Sequence, residues 1–300
     1  MRSGWSTMFR AAAPATFVGL LGASGCTVLL GVDFEGRLAD ASVDAAGDAP
    51  LEGAPDAALE AEASFCMTVL PKPDFCADFD RGELLAAWAP SVFVNPWISG
   101  GGAIEADETL WASAPRSMRA SSPAIADTTM HVSAYVGADF TELPRYVLFE
   151  QEVRIDTELF SGDSGAIDIF SLRLGEVGEI RLRRDEEGTS LVVVEREGGA
   201  PGGETTTAAR FSSPLPVGQW TSMIIRLKNY GDDGPDGGSE GRVTVFLGGT
   251  VAKLATPVSF QDVTGHPYRL RVGVLDARGP VGIFRINFDN VRLTGYAEAR

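Results

Sequence analysis

The chain is short of the residues that metal and redox centres are usually built from. Its 300 residues include two histidines, His131 and His266, and three cysteines, Cys26, Cys66 and Cys76. That leaves too few Cys and His within reach of each other for a zinc-type centre. Positive charge is scarce as well: 25 Lys and Arg face 41 Asp and Glu, for a net charge of -16. Phosphate backbones repel such a chain, which excludes nucleic acid as a partner. Long apolar runs are missing, and the stretch from Ala11 to Leu21 is too short to span a bilayer. No Gly-x-Ser-x-Gly or His-Glu-x-x-His signature occurs. The glycine-rich segments lead into no helical pattern, so a phosphate cradle has no support.

What is present begins at the N-terminus. Arg2 and Arg10 precede an apolar stretch from Ala11 to Leu21, and the segment closes with Leu20-Leu21-Gly22-Ala23-Ser24-Gly25-Cys26. Positive, apolar and small residues in that order read as a secretory signal peptide over residues 1–25. Cys26 directly after Ser24-Gly25 makes the segment resemble a bacterial lipoprotein signal. The resemblance implies a lipidated Cys26 that anchors an exported protein in a membrane of the cell envelope. Ala23 departs from the pattern, which prefers Leu there, and an ordinary cleaved signal is the alternative.

Residues 26–64 form a second region. Asp40, Asp44, Asp48, Glu52, Asp56, Glu60 and Glu62 stand among Ala, Gly and Pro. Such a segment cannot bury enough apolar surface to offset its ordering entropy, so a flexible acidic tether is expected. Cys66 and Cys76 then remain as an even pair outside the cytosol, which predicts one disulfide around Pro71 and Pro73.

From residue 65 to 300 the pattern has period two. Val147, Phe149, Val153 and Ile155 share one face of a segment whose other face carries Tyr146, Glu150, Glu152 and Arg154. Residues 179–184, 219–228, 242–247 and 269–276 alternate in the same way, while 166–174 and 189–196 are more continuously apolar. Glycine-rich turns separate them. The nearest approach to helix is a turn or two over Arg81 to Trp88. The expected fold is all-β, an antiparallel two-sheet sandwich. Trp88 and Trp220 read as core. In the last strand Phe284, Ile286 and Phe288 share one parity, and Val291 and Leu293 the other. A bulge is therefore expected at Asp289-Asn290, re-aiming Asp289.

Several motifs follow in order: Phe75-Cys76-Ala77-Asp78-Phe79-Asp80, Gln219-Trp220-Thr221, Val243-Thr244-Val245-Phe246, and Phe288-Asp289-Asn290-Val291-Arg292-Leu293. Together they resemble the concanavalin A-like lectin/glucanase jelly roll, which includes laminin G-like modules and polysaccharide-degrading enzymes. The resemblance implies ligands on a concave sheet. Laminarinase-like members carry several acids on one strand. Here Asp168 is flanked by Ala166, Phe170 and Ser171, so that acid pair is missing. A lyase needs a Tyr or His base and an Arg or Asn to neutralise a uronate. His131 and Tyr135 share a face if 129–136 is a strand.

Sugar binding without catalysis needs an aromatic platform. Trp97, Trp111, Tyr135, Tyr146 and Tyr230 are the candidates, and Trp97 is singled out with Tyr146, Glu150, Glu152 and Arg154 as ligand-binding. Calcium prefers carboxylates at irregular backbone. Asp78 and Asp80 open the domain and Asp289 closes it, and the resemblance implies that first and last strands are neighbours. The expectation is a non-catalytic envelope module that binds a glycan or surface protein. The alternatives are a polysaccharide-degrading enzyme and a structural lipoprotein.

Overall fold

The period-two segments become strands because one face of each has somewhere apolar to go. A computed structural model describes residues 64–80, 82–88, 96–160, 165–196, 204–228, 242–253 and 265–297. The signal segment, Cys26, the tether up to residue 63 and Tyr230 lie outside the described residues. Strands are numbered in chain order.

One sheet has eight strands. Its order is β13 (Thr250–Lys253), β12 (Arg242–Leu247), β11 (Thr221–Lys228), β6 (Tyr146–Thr157), β15 (Phe284–Tyr296), β4 (Ser117–Ser122) and β3 (Ala103–Asp107), with β1 (Phe75–Ala77) also paired to β15. The other has seven: β10 (Glu204–Arg210), β9 (Gly188–Arg196), β8 (Gly178–Asp185), β7 (Ala166–Leu174), β14 (Tyr268–Arg278), β5 (His131–Phe140) and β2 (Trp97–Ser99). The strand pairs in both sheets are antiparallel. The two sheets pack as the expected sandwich.

The core lies between them. Phe149 of β6 and Phe170 of β7 bring their ring centroids to 4.7 Å across the gap. Both are fully buried, as are Ile155, Ile167, Phe284 and Phe288. Each such side chain contributes roughly 1.5–3 kcal/mol by leaving water. Trp88 is core, as expected, and meets Phe75 edge-on at 4.8 Å. Trp220 is only half-buried, because it precedes β11 rather than lying within it. Helix is confined, among the described residues, to α1 (Phe65–Thr68) and one 3-10 turn (Ala86–Trp88). Cys66 in α1 and Cys76 in β1 form the predicted disulfide, with 5.7 Å between Cα atoms. Among the described residues no helix is long and apolar enough to cross a membrane.

The parity switch in β15 is a bulge. Its register against β6 shifts between Asp289 and Arg292, and Asn290 takes a positive φ of 51°. Two further irregularities are level with each other in the seven-stranded sheet. β14 shifts between Val272 and Asp276 against β7, and between Val274 and Ala277 against β5. β7 shifts between Asp168 and Phe170 against β8. Bulges of this kind bend strands and re-aim side chains.

Candidate functional site

Alternation along β5 decides what the seven-stranded sheet shows to solvent. Val132, Ala134 and Val136 go to the core, so His131, Ser133 and Tyr135 point outward. The edge strand β2 pairs Trp97 with Tyr135, and the two rings stack at 6.4 Å with 24° between planes. Trp97 remains 46% exposed, as a sugar platform requires.

Gly273 lies opposite Tyr135 on β14. A Cβ at 273 would sit 2.6 Å from the Tyr135 Cα and closer still to the Ala134 carbonyl, and φ is +136°. Only glycine allows this approach. Two residues earlier, the Arg271 guanidinium lies over the Tyr135 ring at 5.7 Å. Arg271 donates to Ser171 Oγ at 3.0 and 3.2 Å and pairs with Glu179.

Glu179 starts a charged chain across the sheet. It accepts from Ser171 Oγ at 2.5 Å and from Arg181 at 2.6 Å. Arg181 reaches Asp168 at 3.5 Å, and Arg183 grips Asp168 through two nitrogens at 2.7 and 3.1 Å. Glu179 is 4% exposed and Asp168 3%. Burial works to raise the Glu179 carboxyl, but the bond from Arg181 and the Arg271 charge outweigh it and hold it below its ordinary range. At the far end His131 Nδ1 lies 2.7 Å from Asp276, which the β14 bulge brings alongside Asp168.

Spacing separates two residues that the sequence groups together. His131 and Tyr135 do share a face. Four residues along a strand is about 13 Å, too far for both to serve one sugar bond. Asp168 stands on this face without the flanking acids of a hydrolase, and its two oxygens are occupied by Arg183 and Arg181. Arg271, Glu179, Arg181, Arg183 and Asp276 are not singled out by sequence reasoning. Their charged parity is visible in each strand, but it reads there as a solvated face.

Tyr146, Glu150, Glu152 and Arg154 do not join Trp97. They lie on the outer face of β6 in the eight-stranded sheet, on the opposite side of the sandwich. Glu150 pairs with Arg292 at 2.6 Å and Arg154 with Asp156 at 3.7 Å. Tyr146 sits under Lys228 at 5.7 Å. Burial raises the Glu152 carboxyl, and a bond from Ser222 works against it. Trp111 is elsewhere again, in a shallow depression with Asp80, Glu108 and Arg116.

The three candidate calcium ligands do approach one another, because β1 pairs with β15 through Ala77 and Val291. Asp289 is fully buried and accepts the backbone N–H groups of Ala112 at 2.9 Å, Ser113 at 2.8 Å and Asn290 at 2.8 Å. The bulge thus aims Asp289 at a loop. Burial pushes its carboxyl up to about 6. Asp78 accepts from Ser64 Oγ and from the Cys66 N–H at 3.1 Å. Asp80 is pushed up to about 7 by burial and by the charges of Asp78 and Asp289. Its Oδ1 is buried with no hydrogen-bond partner. Among the described residues no three His, Cys, Asp or Glu side chains are gathered closely enough to hold a metal ion.

No family model matches the chain, and no curated protein sequence matches it. Solved structures do. An endo-β-1,4-glucuronan lyase from the fungus Trichoderma reesei superposes with a TM-score of 0.53 at 13% identity, covering 75% of this chain and 96% of that one. A PL-14 alginate lyase from Aplysia kurodai gives 0.48 at 11%, covering 75% and 99%. The alginate lyase Aly36B gives 0.45 at 12%, covering 61% and 82%. At such identity the likeness is one of fold, a β-sandwich jelly roll of the kind the sequence resembles.

Proposed function

We propose that the outer face of the seven-stranded sheet binds a uronate-containing polysaccharide and cleaves it by β-elimination. One observation carries this reading: Tyr135 stands between the exposed Trp97 ring and the Arg271 guanidinium. The glucuronan lyase that shares the fold supports the reaction class. Trp97 would hold a sugar ring by its apolar face. Arg271 would face the uronate carboxylate and offset the negative charge that builds there as the neighbouring proton leaves. The Tyr135 oxygen, as phenolate, would take the C5 proton. The C5–H electron pair becomes the C4–C5 double bond, the C4–O bond breaks, and the leaving oxygen takes the proton back from Tyr135. No oxidant or reductant is required.

The test is ultraviolet absorbance of the conjugated product after incubation of the full chain with uronate polymers. Product formation that Tyr135→Phe abolishes supports the assignment. Product formation at an unchanged rate in Tyr135→Phe removes Tyr135 from the chemistry. A second reading, binding without cleavage, draws on the same Trp97–Tyr135 platform and on the pairing of Arg271 with Glu179. Retention on a polysaccharide column with no unsaturated product would favour it.

We also propose that lipidation of Cys26 holds this domain at a bacterial envelope membrane, which mass spectrometry of the mature N-terminus tests. A calcium ion near Asp78 and Asp80 is a separate proposal, supported by the unpartnered Asp80 Oδ1. Asp289 would take a lesser part, since its oxygens already accept three N–H groups. A calcium-induced rise in melting temperature, reversed by EDTA, is the expected result.

A further inference from the structure

We infer that the site takes a glycan in which single uronates are separated by neutral sugars, rather than a homopolymer of uronate; this rests on the polysaccharide reading above. The supply of positive charge decides it. A polyuronate brings a carboxylate on every sugar, and each needs a cation or open water. The outward-facing arginines around Tyr135 and along the neighbouring strands are already matched. Arg271 pairs with Glu179, Arg181 with Glu179 and Asp168, and Arg183 with Asp168. Arg269 pairs with Asp139 at 2.6 Å and Arg173 with Glu176 at 2.7 Å. Asp168 and Glu179 are buried beneath these guanidinium groups, so Arg181 and Arg183 cannot both turn away without leaving Asp168 uncompensated, whereas Arg271 can turn to one ligand carboxylate because Glu179 keeps Arg181 and Ser171 Oγ.

Arg278 stands in register with His131, roughly 13 Å along the strands from Tyr135. It is too far away to serve a sugar next to the reacting one. On the β2 side of Tyr135 the neighbour is Trp97, which stacks on a ring irrespective of charge. The site therefore offers one uronate position at Arg271, an uncharged platform on one side and an internally neutralised network on the other. The net charge of -16 adds repulsion against a polyanion.

The experiment compares two polymers on the full chain: a β-1,4-polyglucuronate, and a copolymer in which glucuronate alternates with neutral glucose. Binding is measured by titration calorimetry at low and moderate salt, and cleavage by ultraviolet absorbance. The copolymer is expected to bind about tenfold more tightly, the factor one good contact supplies. Equal affinity for the two polymers, or preference for the homopolymer in binding or cleavage, overturns the inference, and the elimination reading then stands if unsaturated product forms and falls if none does. Copolymer binding with no product from either polymer keeps the inference and overturns elimination. Binding of neither polymer overturns both.

Discussion

The two outer faces of the sandwich are made of the same residue types and are organised differently. On the eight-stranded sheet the charges pair locally, as Glu150 does with Arg292 and Arg154 with Asp156, or form one short cluster towards the β3 edge in which Arg119 holds both Glu105 and the buried Asp107. The Glu150–Arg292 and Arg154–Asp156 pairs share no member, so removing one should leave the other as it was. On the seven-stranded sheet the charges are linked in series, from Arg271 through Glu179, Arg181 and Asp168 to Arg183. Two buried carboxylates sit beneath three guanidinium groups, with an aromatic pair at one end. A linked network holds each member in one orientation, which a site needs and a solvated face does not. The irregular backbone follows the same division. The bulges of β14 and β7 adjoin the network, whereas the β15 bulge serves a loop.

One hydroxyl on each face gives the largest expected difference between them. Tyr135→Phe is expected to lower the rate of unsaturated-product formation by about 10²–10⁴, the usual contribution of a positioned proton-transfer group. Tyr146→Phe on the opposite face should leave that rate unchanged. Equal losses in both would mean that the faces do not differ in function.

Backbone packing gives a second contrast. Gly273→Ala places a methyl group 2.6 Å from the Tyr135 Cα at a φ of +136°, and should cost about 2–3 kcal/mol in chemical denaturation. Gly249 has a φ of +84° and no neighbouring atom within 4 Å of where a Cβ would lie. Gly249→Ala should therefore cost about 1 kcal/mol, the backbone strain alone.

Much of the fold was legible in the chain, and the site was legible only in part. Alternation at Val147, Phe149, Val153 and Ile155 predicts β6, because one face of that strand has to leave water. The parity switch between Phe288 and Val291 predicts the bulge at Asp289 for the same reason. Both are local patterns. The site depends on which strands become neighbours. Trp97 and Tyr135 are paired by β2 joining β5, and Arg271 and Ser171 by β14 lying against β7. Those strands are far apart in sequence, and no spacing rule connects them. Trp97 and Tyr146 looked alike as aromatic candidates because alternation shows which side of its own sheet a residue faces, not which sheet it belongs to.

Removing single charges sharpens the contrast in stability. Glu179→Gln takes one carboxylate from beneath Arg271 and Arg181, which are themselves mostly shielded from solvent. The expected loss is about 1–3 kcal/mol, discounted for the exposed fraction of both arginines. Glu105, 51% exposed and paired with Arg119, should cost between about 0 and 1 kcal/mol as Glu105→Gln. The same two variants separate the faces in cooperativity. Combined with Asp168→Asn, Glu179→Gln should give a loss that departs from the sum of the singles, since both carboxylates bind Arg181. Glu105→Gln combined with Asp168→Asn should add.

The remaining contrast lies where the first and last strands meet, on neither ligand face. Asp80 is raised to about 7 and Asp289 to about 6, above an ordinary carboxyl value of 3.8. Between the ordinary and the raised values the folded protein binds more protons than the unfolded chain. Their contribution to stability is therefore present at low pH and lost as pH rises from about 4 to 7. Asp107 works in the other direction. Burial would raise it, but bonds from Thr109 and Asn287 and the Arg119 charge hold it at about 2, so its contribution is lost only as pH falls below 3.8. The two windows do not overlap. Denaturant midpoints should decrease as pH rises from about 4 to 7, and Asp80→Asn should flatten that slope while raising the midpoint at about pH 8. A slope that survives Asp80→Asn unchanged would assign the pH dependence to other groups. A flattened slope would show that the Asp80 carboxyl, just after β1, sets the upper pH limit of the sandwich's stability.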